Sequence, residues 1–480
     1  MSDSVSTEAS LEVAAGSSTR TVDTAIHVDL DLVRRYNKPG PRYTSYPTAP
    51  HFSESFTVSD LGDELENGPA TRPLSLYVHL PFCRSLCYYC GCHMKVTHRP
   101  EVIEKYLGYV KREMEQVASR LTPGREVVQI HWGGGTPSYL TPTQISELME
   151  HMRTVFTVAS DAEIGLEADP RGLTEAHLAS AASVGFNRIS YGVQDVDPVV
   201  QEAIHRVQPT ALVEQAVRWA RNHGFESINL DLVYGLPHQN ADTFRNAIDT
   251  VLQLRPDRIA LFSYAHIPSM RKHQRLIPED ALPEPDEKLR IFKMATERLT
   301  GTGGYQFIGM DHFALPGDEL SHALDDGTLR RNFQGYSTRA GADVVAFGVS
   351  GISQMDGVYA QNLKGLPDYY DRINSGKLTT YRGVVVSEDD RIRREVIMQL
   401  MCTFEVEKRD IETRFGIDFD TYFADALDAL APMEEDGLVQ RAPDRVTVLP
   451  KGHLFIRNAA MPFDAYLSTS ARQTTYSKTV

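Results

Sequence analysis

Short apolar, β-rich runs alternate with longer helical stretches from about residue 73 onward. Strands that alternate with helices form βαβ crossovers, and repeated crossovers build a parallel sheet. Residues 101–121 show the helical rhythm, because their apolar positions recur three and four apart behind Pro100. Six such units fall short of a closed eight-stranded barrel. We therefore predict an α/β fold, a partial (β/α)6 barrel over residues 73–300, with strands at 74–80, 127–132, 163–168, 187–193, 227–234 and 258–264.

The segments on either side of the barrel differ from it in composition. Residues 1–27 are rich in Ser, Thr, Ala and Val without a basic start or an apolar core, which predicts a disordered tail rather than a signal or transit peptide. Residues 28–72 are predicted to form an N-terminal arm, dense in Pro, Gly and aromatics around positions 37–47. Residues 301–386 are predicted to extend the barrel and complete its site, and 387–480 to form a mostly helical, winged-helix-like domain.

Charge and hydropathy exclude two classes of partner. The net charge of -15 argues against nucleic acid, because phosphate binding needs a basic surface. A local group of arginines can still hold a small acidic ligand in such a protein. No apolar run in the sequence approaches the roughly 18 residues of a membrane span.

Four of the five cysteines, Cys83, Cys87, Cys90 and Cys92, lie close together, whereas a disulfide framework would spread its cysteines along the chain. Three thiolates on one loop can reach three irons of a cubane cluster and leave the fourth iron without a protein ligand. A structural zinc site needs four closed ligands, commonly two separated pairs. The histidines His93 and His98 lie nearby and keep zinc open as an alternative. The remaining cysteine, Cys402, stands in an apolar run and is predicted to be a buried structural residue.

The side chains that could bind ligands or take part in catalysis lie at the carboxyl ends of the predicted strands. In parallel α/β sheets the chemistry gathers at that edge. The cysteines follow the first strand and a glycine run follows the second. The later strands supply Glu167 and Asp169, Gln194, Asp231 and His266 in turn. We expect these groups to surround one site.

The cysteine spacing, three residues and then two with an aromatic before the third cysteine, resembles the radical S-adenosylmethionine (SAM) superfamily. Further stretches resemble the oxygen-independent coproporphyrinogen III oxidases of haem biosynthesis. These stretches are residues 43–48, 131–137, 192–195, 309–313 and 332–336. The resemblance extends from about residue 30 to the C-terminus.

The resemblance implies a monomeric cytoplasmic oxidoreductase, a dehydrogenase, with one [4Fe–4S] cluster and two bound SAM molecules. It implies that two propionates of coproporphyrinogen III are oxidatively decarboxylated to vinyl groups, which gives protoporphyrinogen IX and CO2. An electron donor to the cluster and a final electron acceptor are required, and the sequence identifies neither. Hydrogen abstraction from the propionate β-carbon would begin the reaction.

The resemblance also implies residue roles. Cys83, Cys87 and Cys90 would ligate the cluster, with SAM chelating the open iron. Cys92 is predicted to act near the cluster without being a permanent ligand. The four propionates of the substrate need cationic anchors, and on this chemical ground we predict Arg42 and Arg331 for that role. The first SAM would contact Tyr77, Gly134, Glu167 and Ile352. The second would contact Tyr89, Gly135, Thr136, Gln194, Arg206, Asp231 and Ala265.

Two other functions share most of these residues. Haem-binding chaperone-like relatives typically lack the fourth cysteine and the long arm, so Cys92, the arm and residues 332–336 favour the oxidase. A radical SAM methyltransferase would use its second SAM as the methyl source. Analysis of the product separates this activity from the oxidase.

Overall fold

The computed structural model describes residues 25–469 and 476–479, so most of the predicted 1–27 tail lies outside the described residues. The six predicted strands are present, and each pairs in parallel with the next. The prediction of a partial α/β barrel is therefore confirmed. The strands are β1 (Leu74–Leu80), β2 (Val127–Gly134), β3 (Val158–Ala168), β4 (Arg188–Gln194), β5 (Ser227–Tyr234) and β6 (Arg258–Ser263).

Helices connect these strands and cover the outside of the sheet. The helix predicted over 101–121 runs from Pro100 to Ala118, with proline in its first turn. Its apolar side, which includes Leu107, Val110 and Met114, is buried. Burial of such a face contributes about 2 kcal/mol for each large side chain. The other helices of this layer are Pro142–Val155, Glu175–Ser183, Pro198–Ala203, Thr210–Asn222, Ala241–Leu254 and Pro285–Thr300.

The sheet continues beyond both ends of the six-stranded unit. A seventh parallel strand, Asp343–Phe347, pairs with β1, which the sequence analysis did not predict. The run Asp-Val-Val-Ala-Phe is wholly buried and shows no alternation that would identify it as a strand. The added strands are β7 (Gln306–Gly309), β8 (His312–Ala314), β9 (Arg330–Asn332), β10 (Gly335–Ser337), β11 (Asp343–Phe347), β12 (Ile352–Gln354), β13 (Val358–Asn362) and β14 (Thr380–Val385).

These added strands occupy three places. Strands β8 and β7 extend the β6 edge in antiparallel fashion, and β12, β13 and β14 continue from β11. Strands β9 and β10 form a separate hairpin. Two short helices, Glu319–Asp325 and Leu366–Asn374, belong to the same region.

The C-terminal part is mostly helical, as predicted. It begins with the helix Glu388–Thr403, where Ser387 and Asp390 form a reciprocal cap. Its sheet consists of β15 (Glu405–Glu407), β16 (Val439–Arg441) and β17 (Arg445–Val448), with β17 in the centre. The remaining helices are Lys408–Phe415, Phe419–Tyr422, Ala424–Ala429, Ala431–Glu435, Ile456–Ala460 and Ala465–Thr469. None of the helices in the described part of the chain is long and apolar enough to cross a membrane.

The N-terminal arm packs against this C-terminal part. It contains the helices Leu30–Tyr36 and Val58–Asn67. The buried Tyr43 hydroxyl donates to Asp464 at 3.0 Å, and Arg457 donates from Nε to the Pro41 carbonyl at 2.8 Å. These contacts link residues more than 400 positions apart in the sequence. The arm therefore has an ordered position along the C-terminal helices.

Candidate active site

A cavity of about 420 Å³ lies at the carboxyl ends of the parallel strands. Its walls come from the cysteine loop after β1 and from the ends of β2 to β6. Most of the residues that the sequence analysis placed in the site line this cavity. They are Cys83, Cys87, Tyr89, Cys90, Cys92, Gly134, Gly135, Thr136, Glu167, Gln194, Arg206, Asp231 and Ala265.

Hydrogen-bond donors surround the sulfur atoms of the three predicted cluster ligands. The Thr136 hydroxyl donates to Cys83 Sγ at 3.3 Å. The backbone N–H of Cys92 donates to Cys90 Sγ at 3.4 Å. A hydrogen bond from the Cys92 thiol lowers the pKa of Cys90 to about 6, whereas burial raises the pKa of Cys83 to about 11. Metal binding requires thiolates, so loading of this site releases protons.

Two arginines, Arg171 and Arg206, lie close to the Cys87 sulfur, which is the third predicted cluster ligand. Arg171 Nη2 lies 3.4 Å and Arg206 Nη1 3.6 Å from Cys87 Sγ. Both guanidinium groups also donate to Asp169 Oδ2, at 2.7 and 2.9 Å. Arg206 was predicted for this site, but Arg171 was not, and Asp169 was noted only as a residue at the end of a strand. The pattern Asp-Pro-Arg directly after a parallel strand is the signal that points to both of them.

The zinc alternative is not supported by the arrangement of these side chains. Within residues 25–469 and 476–479, no three His, Cys, Asp or Glu side chains converge on a point where they could hold a single metal ion. His93, one of the two candidate extra ligands, interacts through Nε2 with the Lys364 carbonyl at 3.0 Å. The cysteine loop therefore lacks the closed tetrahedral set that structural zinc requires.

Carboxylates occupy the part of the cavity formed by β3 and β5. Glu167 accepts from the Gly134 N–H at 3.1 Å and from His131 Nε2 at 3.3 Å. Burial opposes ionisation of Glu167, but these two donors hold its pKa below the usual value. Asp231 accepts from Asn229 at 2.7 Å and from Ser190 at 3.1 Å.

The electrostatics of Asp231 differ from those of Glu167. Burial and the nearby charge of Glu167 raise the pKa of Asp231 to about 7. The cavity therefore holds one carboxylate that is charged at neutral pH and one that is close to its titration point. Both can accept hydrogen bonds from amino or hydroxyl groups of a ligand.

The glycines after β2 are required by the packing of the protein itself. A Cβ on Gly135 would lie 2.6 Å from the Pro81 carbonyl carbon and oxygen. Gly134 has φ +112°, and a Cβ there would meet the His79 ring at 2.6 Å. The sequence alone predicts that these glycines allow the backbone to come close to a ligand. The structure adds that any side chain here would push β2 away from the start of the cysteine loop.

Two of the predicted SAM contacts do not line the cavity. Tyr77 lies on β1, with its hydroxyl 3.2 Å from His79 Nδ1 and its ring stacked on His131. Ile352 packs beside Phe52 and Tyr359, in a small apolar cluster at the β12 side of the sheet. Their roles toward SAM remain predictions.

The two predicted propionate anchors lie outside the cavity as well. Arg42 forms an ion pair with Asp311. Arg331 is 5% exposed and lies over the Tyr336 ring, with 4.7 Å between the guanidinium carbon and the ring centroid. Its Nε and Nη1 atoms have no hydrogen-bond partner among the described residues. Arg42 thus already holds a carboxylate of the protein, whereas Arg331 has unused donors.

Known proteins share this architecture. Residues 77–251 match the radical SAM superfamily, and residues 386–455 match the HemN C-terminal domain. The fold, the three-cysteine loop and this match define a radical SAM enzyme. The chain is 45% identical to the oxygen-independent coproporphyrinogen III oxidase of Pseudomonas aeruginosa, over 93% of this chain and 98% of that protein. It belongs to the family of oxygen-independent coproporphyrinogen III oxidases.

Two further comparisons agree with this membership. The oxidase of the same name from Synechocystis is 42% identical, over 95% of this chain and 98% of that protein. The structure of coproporphyrinogen III oxidase (HemN) from Escherichia coli superposes with a TM-score of 0.88 at 43% identity. That alignment covers 92% of this chain and all of the other.

We predict that replacing Cys83, Cys87 or Cys90 by Ser abolishes the brown colour of anaerobically reconstituted protein and lowers its iron content well below about four irons per chain. Each change removes one of three thiolates, and a cubane held by two protein ligands is unstable. Iron and sulfide analysis with absorption spectra measures the loss. Cys402→Ala is the matched control, because this thiol is buried outside the cavity. Full iron content in a triad variant would contradict the ligand set.

Because the pKa of Asp231 is raised, we expect the free energy of unfolding to depend on pH. Its folded pKa of about 7 exceeds the unfolded value of about 3.9, so it favours the folded state at low pH and this contribution is lost as pH rises through 7. Asp231→Asn should therefore become more stable relative to the parent by roughly 3 kcal/mol between pH 5 and pH 8, in the absence of SAM. Urea unfolding of both proteins at several pH values measures this difference. A difference that does not change with pH would show that Asp231 titrates normally.

Proposed function

We propose that this chain converts two propionate side chains of coproporphyrinogen III to vinyl groups, in haem biosynthesis. The observation that carries the proposal is the cavity with three cysteines on one loop, two arginines at Cys87 and carboxylates on the neighbouring strands. The nearly full-length identity to oxidases of this name supports the substrate. The proposal includes a monomeric cytoplasmic enzyme, the domain division at residues 28, 73, 301 and 387, and an external electron donor and acceptor.

The donor set of the cavity fits a [4Fe–4S] cluster. Cys83, Cys87 and Cys90 would hold it, because all three line one cavity and thiolates are the usual ligands of such clusters. When bound, the cluster would supply the electron for reductive cleavage of SAM, which provides the radical chemistry for hydrogen abstraction from the substrate. Arg171 and Arg206 would stabilise the anionic Cys87 sulfur through their hydrogen bonds.

The remaining walls of the cavity fit the polar groups of SAM. Glu167 would accept from the amino group of a first SAM, and Asp231 from ribose hydroxyls of a second. Two SAM molecules are part of this proposal, and both carboxylates lie in the same cavity. Thr136 would hold its position by the hydrogen bond to Cys83. Fixed donors and acceptors of this kind position reactants and lower the entropic part of the barrier.

The N-terminal arm would limit access of water and oxygen to the substrate. Its contacts with the C-terminal helices, through Tyr43 and Pro41, support an ordered position. Arg42 on this arm would have to exchange Asp311 for a propionate if it anchors the substrate. Arg331, with unused donors, needs no such exchange. Exclusion of water strengthens the electrostatic contacts inside such a site.

Incubation of reconstituted protein with SAM, a reductant and coproporphyrinogen III under anaerobic conditions tests the function. Mass analysis should show porphyrins that have lost one and then two carboxyl groups as CO2. A methylated porphyrin would identify a methyltransferase instead. Bound haem with no porphyrin product would identify the chaperone-like function. The family membership favours the oxidase over both.

Cys92 is proposed to act beside the cluster without ligating it permanently. Cys92 is an exposed residue, and its backbone N–H already bonds the Cys90 sulfur. Cys92→Ser should keep near-normal iron content while turnover of coproporphyrinogen III falls by at least tenfold, since general acid or base groups typically contribute about 100-fold or more. Iron analysis and vinyl-product assays on this variant measure both quantities. Loss of the iron would make Cys92 a ligand, and full activity would make it incidental.

A further inference from the structure

Two cations, Arg271 and Lys364, belong to segments that contact the cysteine loop, and a third, Arg382, is close enough to Lys364 for their charges to interact. None of them forms an ion pair with an Asp or Glu in the part of the chain that the structure describes. Many other cations of this acidic chain do, for example Arg258 with Asp318. Unpaired cations grouped on one surface of a protein with net charge -15 favour an anionic ligand.

Hydrogen bonds hold two of these cations next to the loop. His93 on the loop contacts the Lys364 carbonyl at 3.0 Å. On the other side, His273 Nε2 lies 2.7 Å from the Cys90 carbonyl oxygen, and this fixes the segment that carries Arg271. The loop residues Gly91 and Cys92 line the cavity and are exposed, so the cavity is open to solvent on this side.

The third cation, Arg382, lies on an adjoining strand beside two buried aromatic rings. Arg382 on β14 is opposite Gln361 on β13 and donates from Nε to its side-chain oxygen at 2.8 Å. Its guanidinium carbon lies 5.8 Å from the Phe52 ring centroid. Phe52 in turn stacks on Tyr359 with an interplanar angle of 10°. Both rings are buried, so they fix the position of the Arg382 guanidinium rather than offering a surface to a ligand.

The three cations influence one another. Burial lowers the pKa of Lys364, and the charges of Arg382 and Arg271 lower it further. This repulsion is relieved when an anion binds among them. Carboxylates are the matching groups, since arginine and lysine bind them by charge-assisted hydrogen bonds.

We propose that Arg271, Lys364 and Arg382 bind propionate carboxylates of the substrate at the open side of the cavity. This inference rests on the proposed function and deepens it. The substrate carries four propionates, of which two react, so the others need partners away from the reacting carbon. Arg42, predicted for this role from the sequence, is paired with Asp311.

The test uses single Gln variants of the three residues and the triple variant, all with the cluster reconstituted. The KM for coproporphyrinogen III should rise about two- to fivefold for each single change and about 50-fold for the triple variant. The wild-type KM should rise with salt, because added ions screen exposed charges, and the triple variant should show little salt dependence. Binding of coproporphyrin III, the stable oxidised form with four carboxylates, should weaken in parallel.

The controls separate substrate binding from damage to the site. Iron content and SAM cleavage without substrate should be unchanged, and Arg382→Lys should retain most of the affinity. Arg409→Gln, an exposed cation of the C-terminal part, is the matched control and should leave the KM unchanged. An unchanged KM and coproporphyrin affinity in the triple variant would overturn the inference. Failure of the wild type to form any vinyl product would instead overturn the proposed function.

Discussion

Strands β1 to β6 run parallel and in sequence order, so every loop that follows one of them leaves the sheet at the same edge. This constraint assembles the site from residues far apart in the chain. The cysteine loop follows β1, the glycines end β2, and carboxylates come from β3 and β5. A single antiparallel strand among the six would send its loop to the opposite edge. The chemistry of the enzyme therefore depends on the crossover helices that keep the strands parallel.

Within that edge, Asp169 has an organising role. It accepts hydrogen bonds from both Arg171 and Arg206, and each guanidinium also reaches the Cys87 sulfur. Arg206 further donates to the Gly192 carbonyl at 2.7 Å, which ties the group to β4. Two cations balanced by one carboxylate leave a net positive charge beside the sulfur. Both guanidinium groups can therefore compensate the negative charge of this sulfur when it ligates iron.

Much of the fold and many residues of the cavity could be predicted from the sequence. The six strands were predicted to within a few residues, because each is a short β-rich run separated from the next by an amphipathic helix. The cysteine, glycine and carboxylate positions of the cavity were found because strand order determines which loops meet. The seventh parallel strand, Asp343–Phe347, was not predicted, because all five of its residues are buried and show no alternation between apolar and polar positions.

Other features depend on contacts that no local pattern encodes. Arg42 was predicted as a substrate anchor, and its pairing with Asp311 joins positions 269 residues apart. The grouping of Arg271, Lys364 and Arg382 likewise appears only when the segment near His273 and the β13–β14 pair meet at the cysteine loop. Such long-range pairings require the folded chain.

We propose that three cysteines hold the cluster and leave one iron open for SAM. Mössbauer spectra of protein reconstituted with 57Fe, recorded before and after addition of SAM, test it most directly. The account predicts that one iron in four changes its isomer shift when SAM is added, while the other three keep tetrahedral sulfur coordination. Four equivalent irons that do not respond to SAM would contradict it, because a fourth protein ligand would then close the cluster.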